Sequence, residues 1–225
     1  MKKLLFLAIT LFIAGSVSAQ YYHPRPRWAP VHRHQQQKTY NNNFRPTFTL
    51  IGGMNIANTV NAYNENYQTD TKIGWHAGIG LDLPITFPLS LSPEILYSQK
   101  GYTAATPYGE FKQTTNYIDV PLLLKLHVIP GFNILFGPEA SFLLGTHNVY
   151  SNGFDVTHED TYHNSYDGYN KTLIGAVGGV SFDLSRNVEL RARYTIDITP
   201  NNENGTQYVP SYRNQVWQVG LGIKL

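Results

Sequence analysis

The chain has 225 residues, 17 Lys+Arg against 15 Asp+Glu, and no cysteine. Without disulfides, an exported domain must be held by its core or by a closed hydrogen-bonded sheet. Beyond the N-terminal leader no run of 18 or more apolar residues exists, which excludes a transmembrane helix and leaves a soluble exported protein or a membrane β-barrel.

The N-terminus reads as a secretory signal. Lys2 and Lys3 form the positive n-region, Leu4 to Ala14 the apolar h-region, and Val17-Ser18-Ala19 the small-residue cleavage site. The apolar run is shorter than the about 20 residues a membrane anchor needs. Cleavage after Ala19 removes two lysines and leaves a neutral mature chain. That neutrality is uneven. Residues 20–46 carry Arg25, Arg27, Arg33, Lys38 and Arg45 and no acid, so the body that follows is acidic. The same stretch holds Pro24, Pro26, Pro30 and Pro46 with Gln35-Gln36-Gln37 and Asn41-Asn42-Asn43, and no strand or helix period. It reads as a disordered basic spacer. Its charge suits anionic lipid or peptidoglycan; nucleic acid is not expected in this compartment.

From Phe48 the pattern changes to strand-like runs separated by turn-rich stretches. Eight runs are predicted: 48–57, 73–85, 89–101, 116–128, 132–144, 172–184, 187–199 and 214–225. The connections alternate. Long ones fall at 58–72, 102–115, 145–171 and 200–213; short ones at Thr86-Phe87-Pro88, Ile129-Pro130-Gly131 and Ser185-Arg186. Short periplasmic turns alternating with long external loops are the pattern of an outer-membrane barrel.

Within the runs the period is two. In the second, Ile73, Trp75, Ala77, Ile79, Leu81, Leu83 and Ile85 share a face, opposite Gly74, His76, Gly78, Gly80 and Asp82. The seventh sets Val188, Leu190, Ala192, Tyr194, Ile196 and Ile198 against Glu189, Arg191, Arg193, Thr195 and Asp197. A soluble carrier of the lipocalin kind would turn the apolar face inward; a membrane barrel turns it outward. The apolar face carries too many large residues for an eight-strand interior. The other face is rich in glycine and balanced in charge. The expected fold is therefore all-β, an eight-stranded antiparallel up-and-down transmembrane β-barrel over residues 47–225. Both its ends are expected at the periplasmic side. Its lumen network is expected from Glu94, Asp119, Lys125, Glu139, Glu189, Arg191, Arg193 and Lys224, with His76 and His127 completing it. Trp75, Tyr97, Tyr117, Tyr194 and Trp217 lie near strand ends and are expected to form aromatic girdles.

The chain ends on a strand, and Gln218, Gly220, Ile223 and Leu225 resemble the C-terminal signal read by the outer-membrane assembly machinery, with leucine where the final aromatic usually stands. A wider resemblance covers residues 50–225. Gly52-Gly53-Met54-Asn55, Glu94-Ile95-Leu96-Tyr97-Ser98-Gln99-Lys100-Gly101, Asn116-Tyr117-Ile118-Asp119-Val120-Pro121, Phe136-Gly137-Pro138-Glu139 and Arg191-Ala192-Arg193-Tyr194 resemble the PorT-like outer-membrane β-barrel family of Bacteroidetes-type bacteria. The resemblance implies the fold, insertion into the outer-membrane bilayer, and a relative involved in secretion across that membrane.

The 145–171 segment is read as the largest external loop. Tyr150, Tyr162, Tyr166 and Tyr169 give it a paratope-like character suited to a protein or surface ligand. Its His147, His158 and His163, among Asp155, Glu159, Asp160 and Asp167, have no compact metal-binding spacing. No metal or other cofactor is expected. Catalysis would need a serine beside a histidine, from Ser98, Ser151, Ser165 or Ser211 with His147, His158 or His163, and no spacing links them. The expected function is structural or partner-binding; a barrel enzyme at the external rim is the alternative.

Overall fold

Alternation of apolar and polar residues forces an extended chain, because only a strand sends successive side chains to opposite faces. The computed structural model describes residues 45–60, 69–106, 109–151, 156–162, 170–201 and 211–225. The expected signal peptide and all but two residues of the basic tail lie outside them.

Among the described residues nine strands follow one another: β1 (Thr47–Val60), β2 (Thr69–Thr86), β3 (Leu89–Thr106), β4 (Gly109–Ile129), β5 (Phe132–Ser151), β6 (Val156–Tyr162), β7 (Thr172–Asp183), β8 (Val188–Asp197) and β9 (Arg213–Lys224). Eight of them pair antiparallel with their neighbours in a closed ring. β1 pairs with both β2 and β9, β4 pairs with β5, and β5 pairs with β7. β6 stands outside the ring, paired to the far end of β5 from Gly145↔Tyr162 to Ser151↔Val156.

The short turns, the start of β1 and the end of β9 share one end of the ring. At Pro130-Gly131 the glycine takes φ +83°, the left-handed value a type II turn needs after proline. At the other end the strands overshoot. A tilted strand crosses hydrocarbon in about 9–11 residues. β4 has 21 residues and β5 has 20, so about half of each stands beyond the membrane.

Two expectations are corrected here. Residues 102–115 are not a long loop, since β3 runs on to Thr106 and β4 begins at Gly109. The 145–171 segment is not wholly loop either, because β5 continues to Ser151 and β6 returns against it. Past the membrane, strands need only neighbours to hydrogen-bond, so lipid-facing alternation no longer marks them.

The faces divide as the period predicts. Ile73, Trp75, Ile79, Phe136, Phe142, Leu190, Trp217, Val219 and Leu221 are exposed on the outside, while Glu94, Asp119, Glu139, Glu189, Arg191 and Arg193 are buried within. A soluble carrier with an apolar lumen is thereby excluded. The interior is not purely polar, however. Leu123, Leu135 and Val177 cluster inside, as do Tyr117, Leu143 and Leu173. Tyr117 is therefore no girdle residue: it is 2% exposed and faces the lumen. The outward aromatics pair instead, Trp75 with Tyr97 at 4.8 Å and Tyr194 with Trp217 at 4.9 Å between ring centroids.

Glycine makes the seam between β1 and β9 possible. Gly53 pairs directly with Gly220. A Cβ on Gly220 would lie 2.4 Å from the Gly52 carbonyl oxygen, and one on Gly53 would lie 2.3 Å from that of Val219. Backbone cannot yield as a side chain can. The wild-type barrel in detergent is expected to migrate differently boiled and unboiled. Gly220→Val is expected to lose that folded band on the same gel, while Val219→Leu, on the lipid face, keeps it.

Candidate functional site

The ring brings together residues far apart in sequence. β3 and β8 lie opposite each other across the lumen, and Glu94 on β3 spans it to two arginines on β8. Arg191 donates to Glu94 Oε1, and Arg193 Nη1 to Glu94 Oε2 at 2.7 Å. Arg193 Nε also donates to Gln218 Oε1 at 2.6 Å. One carboxylate thus holds two guanidiniums on the barrel axis. Charge-assisted pairs of this kind are the strong ones.

Toward the short turns, a second group follows. Lys125 Nζ lies 2.7 Å from Asp82 and 3.1 Å from Glu189, and Lys224 Nζ lies 2.6 Å from Asp183 and 3.2 Å from Glu189. Below it, the Ser90 hydroxyl and His127 Nε2 are 2.9 Å apart, and His127 Nδ1 is 2.7 Å from Asn133 Oδ1. Asn133 Nδ2 donates to Ser181, which leaves its Oδ1 to accept from His127. In the neutral ring, Nε2 then accepts from Ser90. This resembles a nucleophile–base pair, but Ser90 is only 3% exposed within the packed lumen.

Toward the end opposite the short turns the balance of charge reverses. Lys100 is fully buried, 3.0 Å from Asp119, 3.5 Å from Glu139 and 3.1 Å from Ser141 Oγ. Its ammonium also lies 5.0 Å from the Tyr117 ring centroid, a cation–π contact. Asp197 completes the group and accepts from Asn214 Nδ2 at 2.6 Å. Lys100 pairs directly with two buried carboxylates, and Asp197 adds a third nearby. Above it, Tyr102, Tyr212 and Phe111 pack together, and Tyr212 Oη donates to Gln113 at 2.5 Å.

All eight lumen residues singled out from sequence meet in this network. Asp82, Lys100, Asp183 and Asp197 belong to it as well. Lys100 and Asp82 fall on the polar parity of their strands, and that parity was the signal to follow. His76 bonds Asn55 Oδ1 at 2.7 Å, and Asn55 Nδ2 donates to Ser98 at 3.0 Å. Ser98 is thus a buried lumen residue, far from any rim. Of the C-terminal set, Gln218 is buried against Arg193, and Ile223 and Leu225 are exposed to the lipid side.

The extension of the sheet at the end opposite the short turns carries fewer of the expected groups. Tyr150 lies on β5, opposite Phe111 of β4 and Thr157 of β6. The backbone of Tyr162 closes β6, while Tyr166 and Tyr169 lie outside the described residues. The His147 and His158 rings stack at 5.7 Å between β5 and β6. Among the described residues no three potential ligands converge on a metal site; His163, Asp155 and Asp167 fall outside them. Ser151 and Ser211 show no hydrogen bond to a histidine among the described residues, and Ser165 lies outside.

A closed ring with an apolar exterior and an ion-paired interior defines a membrane-spanning β-barrel. The chain belongs to the outer membrane protein beta-barrel domain family, whose model matches residues 35–203. It is a small outer-membrane β-barrel protein. Similar solved structures include Neisserial surface protein A (15% identity, 79% of this chain and 97% of that one, TM-score 0.47). Others are the attachment invasion locus protein Ail of Yersinia pestis (10%, 80% and 97%, 0.46) and OprG of Pseudomonas aeruginosa (10%, 80% and 95%, 0.40). No curated protein sequence matches the chain.

Lys100 tests the network. Lys100→Met leaves Asp119 and Glu139 buried without the cation they pair with and is expected to cost about 3–5 kcal/mol. Glu139→Gln removes part of the carboxylate excess and is expected to cost clearly less. Urea unfolding in lipid vesicles, followed by the mobility shift, measures both.

Proposed function

We propose that this protein is a non-enzymatic outer-membrane barrel that presents a sheet to a partner outside the cell. The observation that carries the reading is the external extension of β3, β4 and β5 with β6 added at its margin. In the strand order β6 is terminal and pairs only with β5 among the described residues. A terminal strand offers a row of backbone donors and acceptors to an extended partner segment. Val149 and Val156 add apolar surface beside it on one face of the sheet, with Tyr150 half-buried on the other, and Tyr162, Tyr166 and Tyr169 extend the same segment in sequence. The filled lumen argues against transport, since ion pairs and three apolar clusters occupy it from turn to rim.

Several finer assignments belong to this reading. Residues 1–19 direct export and are cleaved, and residues 20–46 form a spacer on the periplasmic side. Gln218, Gly220, Ile223 and Leu225 are read by the assembly machinery. The sequence blocks around Glu94–Gly101 and Asn116–Pro121 support membership of the PorT-like group, and with it a link to protein secretion.

The test uses intact cells. A photo-crosslinking residue replaces Thr157 on β6, and the expected result is one discrete adduct. Replacing Val156–Tyr162 with a Gly/Ser stretch, with the crosslinker moved to Tyr150, is expected to abolish the adduct while the heat-modifiable barrel persists. A smear or no adduct from the Thr157 position, on a properly folded barrel, would overturn the proposal.

A further inference from the structure

The outer wall is apolar where lipid chains lie, but at the external end of β8, β9, β1 and β2 it changes over two rungs. On the lower rung Ile56 pairs with Trp217, Trp217 with Tyr194, and Ile56 with Ile73. On the next, Asn58 pairs with Gln215. Above that, Val60 pairs with Arg213. Ile56, Asn58, Thr71, Tyr194, Gln215 and Trp217 line a recess of about 290 Å³. That is room for about ten water molecules, near the lower size of small-ligand sites. It sits at the aromatic girdle, where headgroups meet chains.

The hydrogen-bonding state of the amides defines what fits. Asn58 Oδ1 already accepts from Thr59 N at 2.8 Å and Thr69 Oγ1 at 3.0 Å. Gln215 Oε1 accepts from Tyr194 Oη at 2.9 Å. Both amides therefore have their oxygens engaged, and neither NH₂ group donates to another described residue. Arg213 is exposed on the same face as Gln215 and Trp217 and has no ion-pair partner among the described residues. Its outward neighbours, Val60, Asn58, Ile196 and Ile198, include no carboxylate. The recess thus combines an apolar floor, two aromatic rings, two amide donors and one guanidinium. The fitting ligand is rich in acceptors, carries an anion and has a chain.

We propose that this recess binds a phosphorylated glycolipid of the outer leaflet. An acyl chain lies along Ile56, Ile73 and Trp217. A sugar packs on the aromatic rings and accepts from Asn58 and Gln215, and its phosphate meets Arg213, whose planar fork suits phosphate. An anionic phospholipid would use the cation but has no sugar ring to pack on Tyr194 and Trp217. The site lies across the barrel from β6 and is independent of the partner reading.

The full chain, folded in detergent and transferred to nanodiscs, is tested with purified rough lipopolysaccharide. Wild type is expected to retain it through washing, with phosphatidylglycerol competing poorly. Arg213→Glu, which keeps the heat-modifiable band, is expected to weaken retention about tenfold, the size of one charged contact. Gln215→Leu is expected to weaken it less. Phosphatase-treated lipopolysaccharide on the wild-type protein should match the Arg213→Glu loss, so the claim does not depend on one variant folding. Equal retention of treated and untreated lipid, or equal competition by phosphatidylglycerol, would overturn it.

Discussion

In hydrocarbon an unpaired backbone N–H or C=O costs several kcal/mol, because no water stands in for a missing strand. The pairing of β1 with β9 meets that constraint by removing the last two edges of the ring. Everything else in the barrel follows from the closure. Eight strands close tightly, so the lumen is narrow. Where β1 and β9 meet, Gly53 and Gly220 stand opposite each other with no room for a Cβ. The outward faces must then satisfy lipid, and the inward faces must satisfy one another.

The interior solves its side by pairing across the axis. Glu94 reaches from β3 to Arg191 and Arg193 on β8, residues almost a hundred positions away. Burying such groups is costly, and their attraction offsets the cost only where geometry and extra hydrogen bonds are good. Arg193 has Gln218 as well as Glu94; Lys125 and Lys224 share Glu189. Strands of the ring are thereby tied to strands they do not touch through the backbone. The network ties the ring across its axis, as the ladders tie it around its wall.

Much of this could be read from the chain, and the failures have physical causes. Period two, carried by pairs such as Ile73/Gly74 and Leu190/Arg191, fixed both faces, because lipid and a charged lumen demand opposite chemistries. The eight lumen charges were identifiable for the same reason. Their partners were not, since which carboxylate faces Arg191 depends on ring order and stagger. Tyr117 was misplaced because an aromatic near a strand end suits a girdle, yet its parity matches Asp119 and puts it inside against Lys100. Above the membrane the signal fades. Val156–Tyr162 contains Thr157, His158, Glu159 and Asp160, a polar run that reads as loop. It becomes a strand because β5 offers it an edge.

The two halves of the molecule therefore answer to different constraints. Within the bilayer, an exposed edge cannot be tolerated, so the ring closes and the lumen fills. Outside it, water can satisfy an open edge, and among the described residues β6 ends the sheet with β5 as its one neighbour. The surfaces open to contact consequently lie outside the lumen, where the wall meets something else. One is the external margin of β6, where backbone groups meet water. The other is the girdle between Trp217 and Arg213, where the wall passes from lipid chains to headgroups within two rungs of a ladder. β6 lies outside the ring, and at the girdle the recess is made by outward side chains of the β1–β9 ladder rather than by its backbone pairing, so both can vary in side chain while Glu94, Gly53 and Gly220 hold the barrel.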